Sequence, residues 1–167
     1  DDKPVEVRGL TFKDTATDDT KCHTSVKSST TGGDKIIDCT MTKPKTGVEI
    51  VGPRVMVDGC KITDPQVAGV KCDFTSSTPC TDSMVTCNQI TSAAVGGTDI
   101  GVGGRLANAT IRGNVLRNCG EIAVSVLADS VQSVISNNEI SACGSNAIKV
   151  AGSTSNLCKN LTITGNN

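Results

Sequence analysis

Tyrosine and tryptophan are absent from this chain of 167 residues, and phenylalanine occurs twice. A core without rings needs Val, Ile and Leu in repeated small layers. Histidine is nearly missing too: His23 stands alone. It lies in a polar stretch and reads as a solvated side chain. Zinc sites want close pairs such as C-x-x-C, and no two cysteines here are that close, so neither metal nor cofactor is expected. No apolar run is long enough to span a membrane. Charge of either sign is not in excess: 16 Lys and Arg stand against 17 Asp and Glu, a net charge of −1. Nothing there calls for nucleic acid or an anionic membrane surface. No signal peptide is visible; the chain opens Asp-Asp-Lys-Pro, as a processed N-terminus would.

What the chain does have is Thr, Ser, Gly and Asn in abundance, a composition that suits strands and turns more than helices. It also has nine cysteines. Reducing compartments seldom use so many as cross-links, so the expected setting is extracellular or the cell surface. Nine is odd, so at least one thiol is left over or pairs between chains.

The main signal is an internal repeat. The stretch from Ile111 to Gly120 matches that from Ile135 to Gly144, 24 residues on: apolar, two small or polar residues, Asn, any residue, apolar. The pattern recurs from Val85 with Asn88 and from Ile163 with Asn166. Looser versions run from Val57 with Cys60, from Ile36 with Cys39, and from Val7 with Leu10. The anchors Val7, Ile36, Val57, Val85, Ile111, Ile135 and Ile163 predict about seven coils. A second apolar pair follows each clear anchor: Val48-x-Ile50, Val70-x-Cys72, Ile100-x-Val102, Val124-x-Val126 and Ile148-x-Val150. Apolar-x-apolar is the period-two mark of a strand with one buried face. Each coil thus offers strand, Asn bend, strand, Gly-bearing turn, strand, and stacking buries what no single coil can bury. Asn88, Asn114, Asn138 and Asn166 are expected to stack as a hydrogen-bonded ladder, each tolerating the left-handed backbone of a sharp bend.

On these repeats the chain resembles the pectate-lyase-like family over nearly its whole length. The resemblance implies an all-β fold: one right-handed parallel β-helix domain over 1–167, three parallel sheets around stacked side chains. It also implies an acidic polysaccharide as ligand or substrate. Coil lengths vary, and excursions from the turns are expected at 14–34 and 73–83.

Cys39 and Cys60 share one phase of the repeat, as do Cys119 and Cys143. Adjacent strands lie close to the separation a disulfide spans, so both pairs are candidate staples. The alternative is stacked thiols in an apolar column. Cys72 and Cys80 are candidates to close a small loop, whereas Cys22, Cys87 and Cys158 have no assignment. Asn108-Ala-Thr and Asn160-Leu-Thr are N-glycosylation sequons, each three residues before its anchor, so N-linked glycans are expected on one edge.

Catalytic residues of the resembled family face outward beside a groove. Between the second apolar pairs lie Glu49, Lys71, Gly101, Ser125 and Lys149. Sugar hydrolysis needs two carboxylates close together, and no outward ladder stacks two in adjacent coils. Arg112 and Lys149 are candidate bases for lyase chemistry, but no acidic cluster shares their phase to hold Ca²⁺. Asp58 and Asp64 are one candidate pair across a bend; Asp14, Asp18 and Asp19 are candidate calcium ligands, more simply read as a charged loop. Thr42, Thr63 and Thr91 form a column of the kind an ice-binding face would use, but Thr40, Lys61 and Gln89 break its neighbour. No residue is assigned a catalytic role.

A solitary solenoid needs caps, because its ends expose strand edges and core. No amphipathic helix precedes Val5, and the chain stops in a bend. Either it is a piece of a longer protein, or its last coil is completed by Val5–Phe12 of another copy, a head-to-tail contact that propagates. The leading expectation is an extracellular structural subunit of a filament, sheath or matrix. The alternatives are a fragment of a polysaccharide lyase, hydrolase or epimerase, and a carbohydrate- or ice-binding module.

Overall fold

A computed structural model of the protein describes residues 3–13, 23–28, 30–72, 80–92, 100–152 and 157–167. Every strand pairing in it is parallel. Three sheets run the length of the stack. The first has seven strands and takes one from each coil, from Glu6–Arg8 to Thr162–Thr164; the second and third have six each. The stack is therefore six three-stranded coils and the opening strand of a seventh. A small fourth ladder pairs Cys80–Thr81 with Leu106–Ala107 and continues through Val131 to Lys159 as single bridges.

The register places the seven anchors in one column: Val7, Ile36, Val57, Val85, Ile111, Ile135, Ile163. Phe12, Met41, Ile62, Ile90, Leu116 and Ile140 form the column of the second sheet. Val26, Val48, Val70, Val102, Val124 and Ile148 form that of the third. Side chains repeat at the strand spacing of about 4.8 Å, so like packs on like, and aliphatic residues of similar volume fill each layer. In the middle coils these side chains are fully buried, each worth about 1.5–3 kcal/mol.

The coil turns three corners, and left-handed residues make them. Between the first two sheets they are Gly9, Asp38, Gly59, Cys87, Gly113, Asn137 and Gly165; after the second sheet, Lys43, Asp64, Asn118 and Ala142; before the first, Arg54, Asp82, Asn108, Gln132 and Asn160. The ladder asparagines are not among them. The expectation that these asparagines adopt the left-handed backbone is therefore corrected: the residue just before each one does. A left-handed residue turns its own side chain outward, and the next is then free to point into the stack.

Two further expectations change. The excursion expected over 14–34 contains a strand, Thr24–Lys27, paired with Thr46–Ile50. Its one apolar residue, Val26, gives too short a period-two signal to be read. Likewise 73–83 contains the strand Cys80–Thr81 and the buried Ser83. In the fourth coil the register is two residues later than the apolar pair suggests. Val102 matches Val124, and Gly103, not Gly101, joins the outward ladder. The run Ile100-Gly-Val-Gly offers period two in either frame, and only stacking chooses. Gly101 faces inward, where an added Cβ would meet Ala123 O at 2.6 Å.

Candidate functional site

The most organised polar feature is inside the stack, at the bend between the first and second sheets. The Asn88 backbone N–H and side-chain amide both donate to Asn114 Oδ1 at 3.0 Å. Asn114 does the same to Asn138 Oδ1 at 3.0 and 2.9 Å, and Asn138 to Asn166 Oδ1 at 3.1 and 2.8 Å. Each amide also donates to the anchor carbonyl of the coil before: Asn88 to Val57, Asn114 to Val85, Asn138 to Ile111, Asn166 to Ile135. Asn88, Asn114 and Asn138 are fully buried with every side-chain polar atom engaged, the condition under which a buried amide is tolerated.

Cys60 and Cys39 continue this column toward the N-terminus. The Cys60 N–H donates to Asn88 Oδ1 at 2.9 Å. The Cys60 thiol lies 3.5 Å from both Ile36 O and Asp58 O, and the Cys39 thiol 3.3 Å from Ile37 O and 3.7 Å from Val7 O. Ile36 O and Val7 O are again the anchor carbonyls of the coil before. Burial pushes the Cys60 thiol up to about 11, although a hydrogen bond from the Cys39 backbone opposes the shift.

A second polar column, which the repeat reading missed, lies two residues before the anchors. Val5 N–H donates to Asp34 Oδ1 at 2.8 Å, Val55 N–H to Ser83 Oγ at 3.1 Å, and Ala109 N–H to Ser133 Oγ at 3.2 Å. Asp34, Ser83 and Ser133 are buried. A small polar residue two places ahead of alternate anchors was the available signal.

All eight described cysteines, including the staple candidates Cys39, Cys60, Cys72, Cys80, Cys119 and Cys143, stand as thiols. Cys72 and Cys80 are hydrogen-bonded to each other, which raises Cys72 and lowers Cys80. Cys143 hydrogen-bonds Cys119, and burial raises the Cys143 thiol. Cys87 is exposed, and Cys158 faces Leu127 O and Ala151 O, both at 3.3 Å. Cys22 lies outside the described residues, as do Asp14, Asp18 and Asp19.

On the outer faces, charges meet charges. Glu49 sits between Lys27 at 3.3 Å and Lys71 at 3.4 Å. Arg117 pairs with Glu139, Arg105 with Asp129, and Arg8 with Glu6 and Asp38. Asp58 accepts a 2.6 Å hydrogen bond from Thr86; no contact joins it to Asp64 among the described residues. Arg112 and Lys149 are exposed on different sheets. Thr42, Thr63 and Thr91 do stack. Among the described residues, no three His, Cys, Asp or Glu gather where a metal would bind, and no helix is long and apolar enough to cross a membrane. His23 is exposed. Asn108 and Asn160 are exposed, both left-handed, and share one corner with Gln132 between them.

The end coils differ from the middle. Val5, Leu10 and Ile163 are 55%, 52% and 45% exposed, against full burial of equivalent positions inside. One apolar hollow opens beside Val5, Val7, Val26 and Ile36, and another beside Ile140, Ala147, Ile148 and Ile163.

Parallel sheets closed into a coil, with like residues stacked around an aliphatic interior, define a β-helix solenoid. The chain belongs to the right-handed β-helix family: the family described as right handed beta helix region matches residues 2–167. At the level of fold this agrees with the pectate-lyase-like resemblance. No curated protein and no solved structure matches the chain.

Proposed function

We propose that this β-helix is a structural rod of an extracellular filament, sheath or matrix, extended by end-to-end stacking of copies. The observation that carries the reading is where the apolar surface lies. Core columns that are sealed in the middle coils come to the surface at both ends, with strand edges beside them. Edges of this kind add strands readily. A contact between one end and the other is heterologous, so it propagates into a fibre unless the rotation closes a ring. The exposed sequons Asn108 and Asn160, on one corner, fit a secreted rod with N-linked glycans along one edge. Arg112 and Lys149, the candidate bases, stand on different sheets, so the enzyme reading draws no specific support from them.

The test is negative-stain electron microscopy of native material, with intact mass before and after removal of N-glycans. The expected result is fibres of uniform width and a loss of mass when N-glycans are removed. Ile163→Lys, at the open end, should shorten or abolish the fibres. Discrete particles, or a much longer polypeptide whose own further coils cover the ends, would refute the assembly.

A further inference from the structure

We infer that Cys72 and Cys80 are joined by a disulfide, whereas Cys39 and Cys60 are kept as thiols because they serve the buried ladder. This assignment stands whether or not copies stack end to end.

The next coil supplies the ruler. There the chain passes from the third sheet to the small fourth ladder through one residue, Gly104 to Arg105 to Leu106. Cys80 pairs with Leu106, and its N–H donates to Arg105 O at 2.8 Å. Gly104 packs directly on Cys72: a Cβ there would overlap the Cys72 side chain and meet its carbonyl oxygen at 2.6 Å. Cys72 and Cys80 therefore mark the two sides of a gap that a neighbouring coil bridges with one residue. Two residue steps span at most about 7 Å, and disulfide Cα separations run from about 4.4 to 6.8 Å. Both side chains are buried, and a hydrogen bond from the Cys72 thiol lowers the Cys80 thiol.

Cys39 and Cys60 differ in geometry and in duty. They are stacked residues of adjacent coils, with side chains pointing the same way at a spacing of about 4.8 Å. A disulfide wants Cβ atoms about 3.5–4.5 Å apart. Each thiol also faces the anchor carbonyl that an Asn amide serves higher in the column. Oxidation would remove both donors from a buried site.

A small-molecule disulfide such as oxidised glutathione supplies the oxidising equivalents. The Cys80 thiolate, favoured by the hydrogen bond it accepts from Cys72, attacks one glutathione sulfur and expels a glutathione thiolate. Cys72 then gives its proton to that thiolate and attacks the Cys80 sulfur of the mixed disulfide, expelling the second glutathione thiolate, which takes back from solvent the proton that Cys80 released on ionising. Two cysteine thiols become one S–S bond, and one oxidised glutathione becomes two reduced molecules.

The test refolds the full chain in a glutathione redox buffer and blocks accessible thiols without denaturant. The chain is then unfolded without reductant, blocked with a second, isotopically heavier reagent, and digested. The expected map links Cys72 to Cys80, with Cys39 and Cys60 carrying only the heavy label. Alkylated Cys72 and Cys80, or a Cys39–Cys60 link, would overturn the inference. A second arm uses Cys39→Asn with Cys60→Asn, which extends the amide ladder by two coils. Melting should be unchanged and the Cys72–Cys80 link retained. A large drop in melting temperature would show that the two sulfurs do something an amide cannot replace.

Discussion

The bend between the first two sheets is filled in two ways. In the second and third coils it holds Cys39 and Cys60; from the fourth coil onward it holds Asn88, Asn114, Asn138 and Asn166. Both kinds of side chain face the anchor carbonyl one coil back. The thiol is the weaker donor and the more apolar group, and an amide is costlier to leave unsatisfied. The position thus requires a compact buried donor, and two different residues meet the requirement at different cost of failure.

That difference can be broken or sharpened by substitution. Asn114→Val should have the largest effect. It strips the Asn88 N–H and amide of their acceptor and Val85 O of its donor, all buried, and should cost about 4 kcal/mol in urea unfolding. If it costs no more than the same change at Cys60, the two halves of the column are equivalent and the comparison fails.

Alkaline titration should come next. The Cys60 thiol is protonated in both states below about pH 8.5, so its contribution is whole there. Between that point and its folded value of about 11, the unfolded chain sheds the proton and the folded chain holds it. Stability should therefore fall by roughly 3 kcal/mol across the window. The measurement is the urea midpoint from pH 8 to 11, with Cys60→Val as the control that removes this share of the slope.

Gly69→Ala should cost about 2 kcal/mol by overpacking, because its Cβ would meet Gly101 O and Ile90 Cγ2, both at 2.7 Å. Cys60→Val at neutral pH should cost about 1 kcal/mol, since a weak donor gives way to an apolar group of similar size. Smallest is Arg117→Ala on the flank. Its ion pair with Glu139 is half exposed, and its loss should change stability by less than about 1 kcal/mol.

The anchors were legible because one apolar residue per strand recurs at fixed offset from an Asn or Cys, with Leu10 in that place in the first coil, and all seven fall in one register. The thiols at 39 and 60 were legible as members of the bend, but the repeat gave two readings for them, staple or column. The Ser83 and Ser133 column went unread because serine is common in turns and its burial depends on the neighbouring coil. Val26 was lost among polar residues, and Gly101 was misplaced because glycine carries no pattern of its own.

The sequence by itself determined the period, the aliphatic core and the parallel solenoid, since a repeat of short half-apolar strands without aromatic residues buries its faces only by stacking on itself. Only the tertiary structure decided which residues bend and which bond. A left-handed residue must precede each ladder side chain, and a buried carbonyl one coil away chooses its donor. Those partners lie more than twenty residues apart, where local pattern carries no information about contact.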